Sequence, residues 1–164
     1  MGVAGAGKTL IGKLLAERLG VQFFDGDDFH SPDTVAKMRS ARPLDDKDRM
    51  PWLARIGGRI REVQSRGETA VFACSALKES YRDVLRRDAA SAQLRFVYLR
   101  IGRELAALRL NSRQGHFMPA ALIASQFENL EEPTDAATFD ASRPPDELVS
   151  DIVRDLHLSV TSEH

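Results

Sequence analysis

The sequence predicts an α/β fold: a three-layer αβα arrangement with helices on both faces of a central parallel sheet of about five strands. Three observations predict it. Short runs of apolar, β-branched and aromatic residues alternate with longer helix-like segments, the pattern of strands joined by helical crossovers. The chain opens on a glycine-rich stretch, Gly2-Val3-Ala4-Gly5-Ala6-Gly7-Lys8-Thr9, directly ahead of a helical segment. Its 164 residues, 43% hydrophobic and 29% charged, suit one folded domain spanning 1–164 and argue against disorder.

Taken in order, the first helix is expected over Lys8–Leu19, stopped by Gly20. Val21–Phe24 reads as a buried strand, and Ser31-Pro32 supplies a cap and a first-turn proline for a helix over Asp33–Ser40. A long helix follows over Asp46–Ser65, where Pro51 and the Gly57-Gly58 pair predict two pieces. Gly67 ends it. Thr69–Cys74 and Leu94–Leu99 are the next strands, with helices over Lys78–Ala90, Arg103–Ser112 and Pro119–Leu130 around them. A fourth strand is expected near Thr138–Ala141, and Arg143-Pro144-Pro145 forces a break before a last helix over Pro145–Leu156. Glycine followed by proline in Gly115–Pro119 marks a lid at about 103–119.

The opening stretch satisfies G-x-x-x-x-G-K-[ST], the Walker A or P-loop pattern. Its small residues Gly2, Ala4, Gly5, Ala6 and Gly7 let backbone N–H groups curl around phosphate oxygens. Lys8 would reach the β and γ phosphates, Thr9 would place its hydroxyl on magnesium, and the following helix would point its positive end at the anion. Such a loop normally follows a buried central strand, yet only Met1 precedes Gly2. Without that strand its two neighbours would have unpaired backbone groups in the core. We therefore expect the numbering to start at a methionine internal to a longer frame, or residues ahead of Met1 to supply the strand.

Composition narrows the partners. With 23 basic against 24 acidic residues the net charge is −1, which offers no field for holding DNA, RNA or an anionic membrane. The longest apolar stretches, such as Ala70–Cys74 and Ala120–Ala124, fall far short of the roughly 20 residues of a membrane helix. One cysteine, Cys74, and no export signal point to a cytoplasmic protein, with Cys74 as a packing residue. The four histidines show no close metal-ligand spacing, so zinc chemistry has little support.

The remaining polar clusters decide which phosphate chemistry applies. No N-K-x-D or T-K-x-D guanine signature is present. The first strand runs into Asp25-Gly26-Asp27, two carboxylates at the strand edge where open α/β sheets bind ligands. One can serve magnesium while the other orients or deprotonates a hydroxyl; an acidic turn is the plainer alternative. Arg49, beside Pro51-Trp52, suits a bidentate contact with an anionic substrate. Lys78 and Arg82 are four apart and share a helical face after the Thr69–Cys74 strand. Arg109 and Arg113 fall in the lid, where they would bring positive charge to the phosphoryl group. For His116, packing and catalysis weigh equally.

Assembled in order, these residues resemble the gluconate kinase family, relatives of shikimate kinase in the nucleoside-monophosphate-kinase-like group. The resemblance covers about residues 2–133. It rests on the loop, Phe24-Asp25-Gly26-Asp27-Asp28-Phe29-His30, Lys37-Met38, Pro43-Leu44, Asp48-Arg49 with Pro51-Trp52-Leu53, and Cys74-Ser75-Ala76-Leu77-Lys78 with Tyr81-Arg82-Asp83. It continues through Gly115-His116-Phe117-Met118-Pro119 and Ser125-Gln126-Phe127-Glu128 to Leu130-Glu131. Ala4 and Ala6 stand where the family commonly has serines. The resemblance implies a homodimeric, magnesium-dependent kinase that passes the ATP γ-phosphoryl to the 6-hydroxyl of D-gluconate. Lys8 and Thr9 would serve ATP and magnesium, with Arg109 on the nucleotide and Asp25 near the metal. Asp27 and Arg49 would hold gluconate, with His30, Lys78, Arg82 and His116 as further substrate contacts, and Arg113 in the lid. A kinase for another small acid such as shikimate, and an ATP-binding regulator without turnover, are the competing readings.

Overall fold

The computed structural model describes residues 1–40, 42–88, 93–112 and 120–159. Behind the loop, helix α1 spans Lys8–Leu19 and ends where Gly20 turns left-handed, its N–H reaching Ala16 and Glu17 carbonyls. Ile11, Leu15, Ala16 and Leu19 form its buried stripe. Gly12 brings α1 onto strand β1 (Gln22–Asp25), since a Cβ there would sit 2.6 Å from the Phe23 ring. A single 3-10 turn over Gly26–Phe29 leads to α2 (Pro32–Arg39), capped by the Ser31 hydroxyl.

Helix α3 spans Asp46–Ser65 without interruption, which corrects the expected break. A reciprocal capping box between Asp45 and Asp48 starts it. Pro51 falls near the start, where the Lys47 carbonyl that loses its partner belongs to an exposed residue. The stripe of Trp52, Leu53, Ile56, Ile60 and Val63 is buried along the rest, mainly against α4 (Glu79–Asp88), so packing carries the helix through both glycines.

The remaining elements are β2 (Ala70–Ala73), β3 (Val97–Arg100), α5 (Arg103–Asn111), α6 (Ala120–Glu128), β4 (Ala137–Asp140) and α7 (Pro145–Asp155). The expected strand near Thr138–Ala141 is therefore present, one residue earlier. Strands β1 and β2 pair in parallel, with Phe24 opposite Phe72, and β3 and β4 pair in parallel, with Leu99 opposite Phe139. Among the described residues no ladder joins the two pairs.

Met1 stands at that junction. Its amine donates to the Val97 carbonyl, its carbonyl accepts the Leu99 N–H at 3.0 Å, and the Gly2 N–H reaches Ser75 at 3.2 Å. Beneath it lies an apolar cavity of about 290 Å³ lined by both β2 and β3. Two apolar cores flank this axis: α1, α7, β3 and β4 supply one, and α3 with α4 the other. No described helix is long and apolar enough to cross a membrane.

Candidate active site

The loop curls because Gly5 and Gly7 take left-handed φ values of 84° and 89°, which side chains rarely tolerate. Gly5 is also pressed against α5: a Cβ would meet the Ala106 carbonyl oxygen at 2.6 Å. The N-terminus of α1 has no side-chain cap and no acid in its first turn, which leaves its electropositive end to an anion. Lys8 folds over the loop, its Nζ donating to the Val3 carbonyl at 2.9 Å.

At the C-terminal end of β1 the two expected carboxylates meet the loop. Thr9 Oγ1 donates to Asp25 Oδ2 at 2.8 Å, and Asp25 Oδ1 accepts the Asp27 N–H at 3.1 Å. One carboxylate thus ties the first turn of α1 to the turn after β1. Thr9 and Asp25 are hard oxygen donors of the type magnesium takes. Among the described residues no group of three or more His, Cys, Asp or Glu could cage a metal. That donor set suits an ion that keeps waters and phosphate oxygens as its other ligands. Asp27 opens to solvent, yet the crowding of protein around its carboxyl, and then the Asp25 charge, hold its pKa above the usual aspartate value.

The start of α3 delivers a second group. Trp52 Nε1 donates to the Gly26 carbonyl at 2.6 Å, fastening α3 to the acidic turn. His30 stacks flat on Trp52, centroids 4.6 Å apart and 7° from parallel. Burial, then the charges of Arg49 and Arg55, depress its pKa to about 4, so the ring is neutral at physiological pH. Arg49 lies over the Tyr81 ring at 5.8 Å, and Lys78 lies over it at 5.4 Å. Lys78 Nζ and Tyr81 Oη both donate to Asp46 Oδ1, the former at 3.0 Å. Arg49, Lys78, Tyr81, Asp46 and Asn129 help line an open cavity of about 410 Å³.

Lys8, Thr9, Asp25 and Asp27 are therefore assembled, and Arg49 joins Lys78 across Tyr81. Arg82 is the exception. Its side chain is 1% exposed, and its guanidinium donates to the Ala76 carbonyl at 3.0 Å, to the Leu77 carbonyl at 3.1 Å and to Glu79. Its donors are turned inward onto the loop, and Arg82 does not line the cavity that Arg49 and Lys78 share. Arg109 lies in the last turn of α5; Asp140, held ionised chiefly by Ser142, also feels Arg143 and Arg109. Arg113 and His116, with the 113–119 part of the expected lid, lie outside the described residues.

Sequence reasoning assigned no role to Gln126, whose Oε1 accepts the Ala4 N–H of the loop at 2.7 Å. It also passed over Tyr81 and Asp46; their shared hydrogen bond spans 35 positions and leaves no local signal.

Comparison with known proteins bears on this arrangement. The shikimate kinase family model matches residues 4–157. The thermosensitive gluconokinase of Escherichia coli K12 is 45% identical over 133 residues, covering 81% of this chain and 70% of its own. The gluconokinase of Gluconobacter oxydans 621H is 43% identical over 157 residues, covering 94% and 87%. The crystal structure of a gluconokinase from Sinorhizobium meliloti 1021 superposes with a TM-score of 0.87 at 42% identity, covering 96% of this chain and 89% of that one. A Walker loop tied through Thr9 to paired aspartates, on a chain this similar throughout, belongs to the gluconokinase family of shikimate-kinase-like P-loop enzymes.

Proposed function

We propose that this protein is a gluconokinase, transferring the γ-phosphoryl group of ATP to the 6-hydroxyl of D-gluconate to give 6-phospho-D-gluconate. The observation that carries the reading is the hydrogen-bonded run from Thr9 through Asp25 to Asp27, which sets a phosphate cradle beside paired carboxylates. Arg49 and Lys78 take the gluconate carboxylate in the adjoining cavity, and the neutral His30 ring, at the Asp27 turn, meets a sugar hydroxyl. Asp27, its pKa raised toward the working range, accepts the proton of the 6-hydroxyl as that oxygen bonds to the γ-phosphorus and the bond to the β-phosphate bridging oxygen breaks. Lys8, with Arg109 and Arg113, offsets charge on the transferring group. Thr9 and Asp25 would hold magnesium, which when bound would offset charge on the phosphate oxygens. A cytoplasmic homodimer is part of the same proposal.

A coupled ADP-release assay with magnesium, ATP and a panel of gluconate, shikimate and neutral sugars tests it. Gluconate-dependent turnover is expected, falling by about two to three orders of magnitude in Lys8→Ala. Turnover on shikimate alone would move the chain to another acid, and ATP binding without any acceptor would favour a regulator.

A further inference from the structure

The two cations assigned to the acid end of the substrate share one aromatic ring. The Arg49 guanidinium lies 5.8 Å from the Tyr81 ring centre, and the Lys78 ammonium lies 5.4 Å from it. We propose that Tyr81 is a positioning residue for carboxylate recognition: its ring is the common platform of Arg49 and Lys78, and its hydroxyl anchors Asp46, the counter-ion that holds Lys78. This rests on the reading of Arg49 and Lys78 as the gluconate carboxylate site, and Tyr81 acts through them.

Two like charges brought to one cavity repel, so their places must be enforced. A ring face attracts both guanidinium and ammonium, and Tyr81 offers one from a fixed position. It is 2% exposed and packs in the core with Trp52, Leu53 and Ile56. Its hydroxyl donates to Asp46 Oδ1, the oxygen that also accepts Lys78 Nζ at 3.0 Å. The bond from Tyr81, and then the bond from Lys78, hold the Asp46 carboxyl below the usual aspartate range, so the counter-ion stays charged. Lys78 gives one of its three ammonium hydrogens to this contact, and Arg49 gives its Nε–H to the Leu44 carbonyl at 3.3 Å. The other donors of both side chains suit a carboxylate.

The same contacts set the acid end in register with the reacting end. Asp46, Arg49 and Trp52 follow one another at three-residue spacing on α3. Tyr81 of α4 pins Asp46 at one end of that row, and the Gly26 carbonyl pins Trp52 at the other. Arg49 therefore stands between two fixed points, the second being the turn that carries Asp25 and Asp27. A substrate held by its carboxylate at Arg49 is thereby aligned against the paired aspartates.

Steady-state kinetics on gluconate and on gluconamide, its uncharged counterpart with the same hydroxyl groups, test the proposal in wild type, Tyr81→Phe and Tyr81→Leu. Phe keeps the ring and removes the hydroxyl, whereas Leu removes both. KM for gluconate should rise about three- to tenfold in Tyr81→Phe, the equilibrium weight of one hydrogen bond, and about ten- to a hundredfold in Tyr81→Leu. kcat and the KM for ATP should stay within about twofold of wild type. The kcat/KM preference for gluconate over gluconamide should shrink by the same factors as KM rises, because the amide carries no charge for the pair to read. Equal losses on the two substrates, a lower kcat at unchanged KM, or wild-type kinetics in Tyr81→Leu would overturn the proposal. If Tyr81→Leu does not fold, Tyr81→Phe decides alone. If gluconamide is not turned over, its Ki against gluconate replaces its kcat/KM; if it does not bind, the KM and kcat of Tyr81→Phe on gluconate decide. A wild type without preference for gluconate would remove the carboxylate site and the proposal with it, whereas a preference intact in both variants would remove only the role of Tyr81.

Discussion

Replacing Arg82 by alanine is expected to unfold the loop behind the active site rather than to abolish a substrate contact. Ala76 sits at a positive φ of 41°, unusual for a residue with a side chain, and Arg82 grips the carbonyls on either side of the Ala76–Leu77 junction. Truncation leaves both carbonyls without that charged donor and opens a void where a side chain only 1% exposed had been. Losing two carbonyl hydrogen bonds from a buried guanidinium and opening its void costs about 2–5 kcal/mol. For a chain of this size each kcal/mol lowers the melting point by about 2–4 °C, so a fall of roughly 4–20 °C is expected. Urea unfolding followed by circular dichroism, with thermal melts, reads both quantities. Arg82→Lys should recover little, because one ammonium cannot reproduce the guanidinium fork that spans two carbonyls and Glu79. A loss below about 1 kcal/mol together with a tenfold rise in KM for gluconate would refute the reasoning and return Arg82 to the substrate.

Asp27→Asn should lower kcat by about two to four orders of magnitude with little change in ATP affinity. In the wild type the acid limb of the kcat–pH profile should lie above the ordinary aspartate value, because neighbouring protein and the Asp25 charge favour the protonated form, and the limb should vanish in the variant. A wild-type limb at or below the ordinary value would assign the proton elsewhere. Gly5→Ala meets the Ala106 carbonyl oxygen at 2.6 Å at a φ of 84°, so both strain and clash apply. A loss of about 1–3 kcal/mol in urea unfolding, with weakened ATP binding by calorimetry, is expected.

The parts of the site that depend on a short stretch of backbone were readable in the sequence. The Walker loop, the Gly20 stop and the Asp25-Gly26-Asp27 edge each follow from which residues tolerate a local conformation, and all three are found as expected. Helix α3 was misjudged because Pro51 and Gly57-Gly58 carry local penalties, whereas the burial of Trp52, Leu53, Ile56 and Ile60 that outweighs them depends on α4, a distant element. Arg82 was read as sharing a binding face with Lys78 because the two are four apart, and only the fold turns its guanidinium onto the Ala76 and Leu77 carbonyls. Gln126 was invisible as a loop partner, since nothing near Ala4 in the chain announces a contact from α6.

The chain holds one tryptophan, and the fold has put it against the turn between Asp25 and Asp27. Trp52 is 2% exposed, bonded to the carbonyl between the two aspartates and stacked on His30. Its emission is therefore a built-in optical gauge of the turn that carries the paired aspartates. The indole N–H feels any shift of the Asp25–Asp27 turn, and the imidazole face sets how efficiently the excited state is quenched. Movement of that turn, and proton uptake by His30 near pH 4, would both register in the emission of the unlabelled protein, with no second fluorophore of its kind to blur the signal.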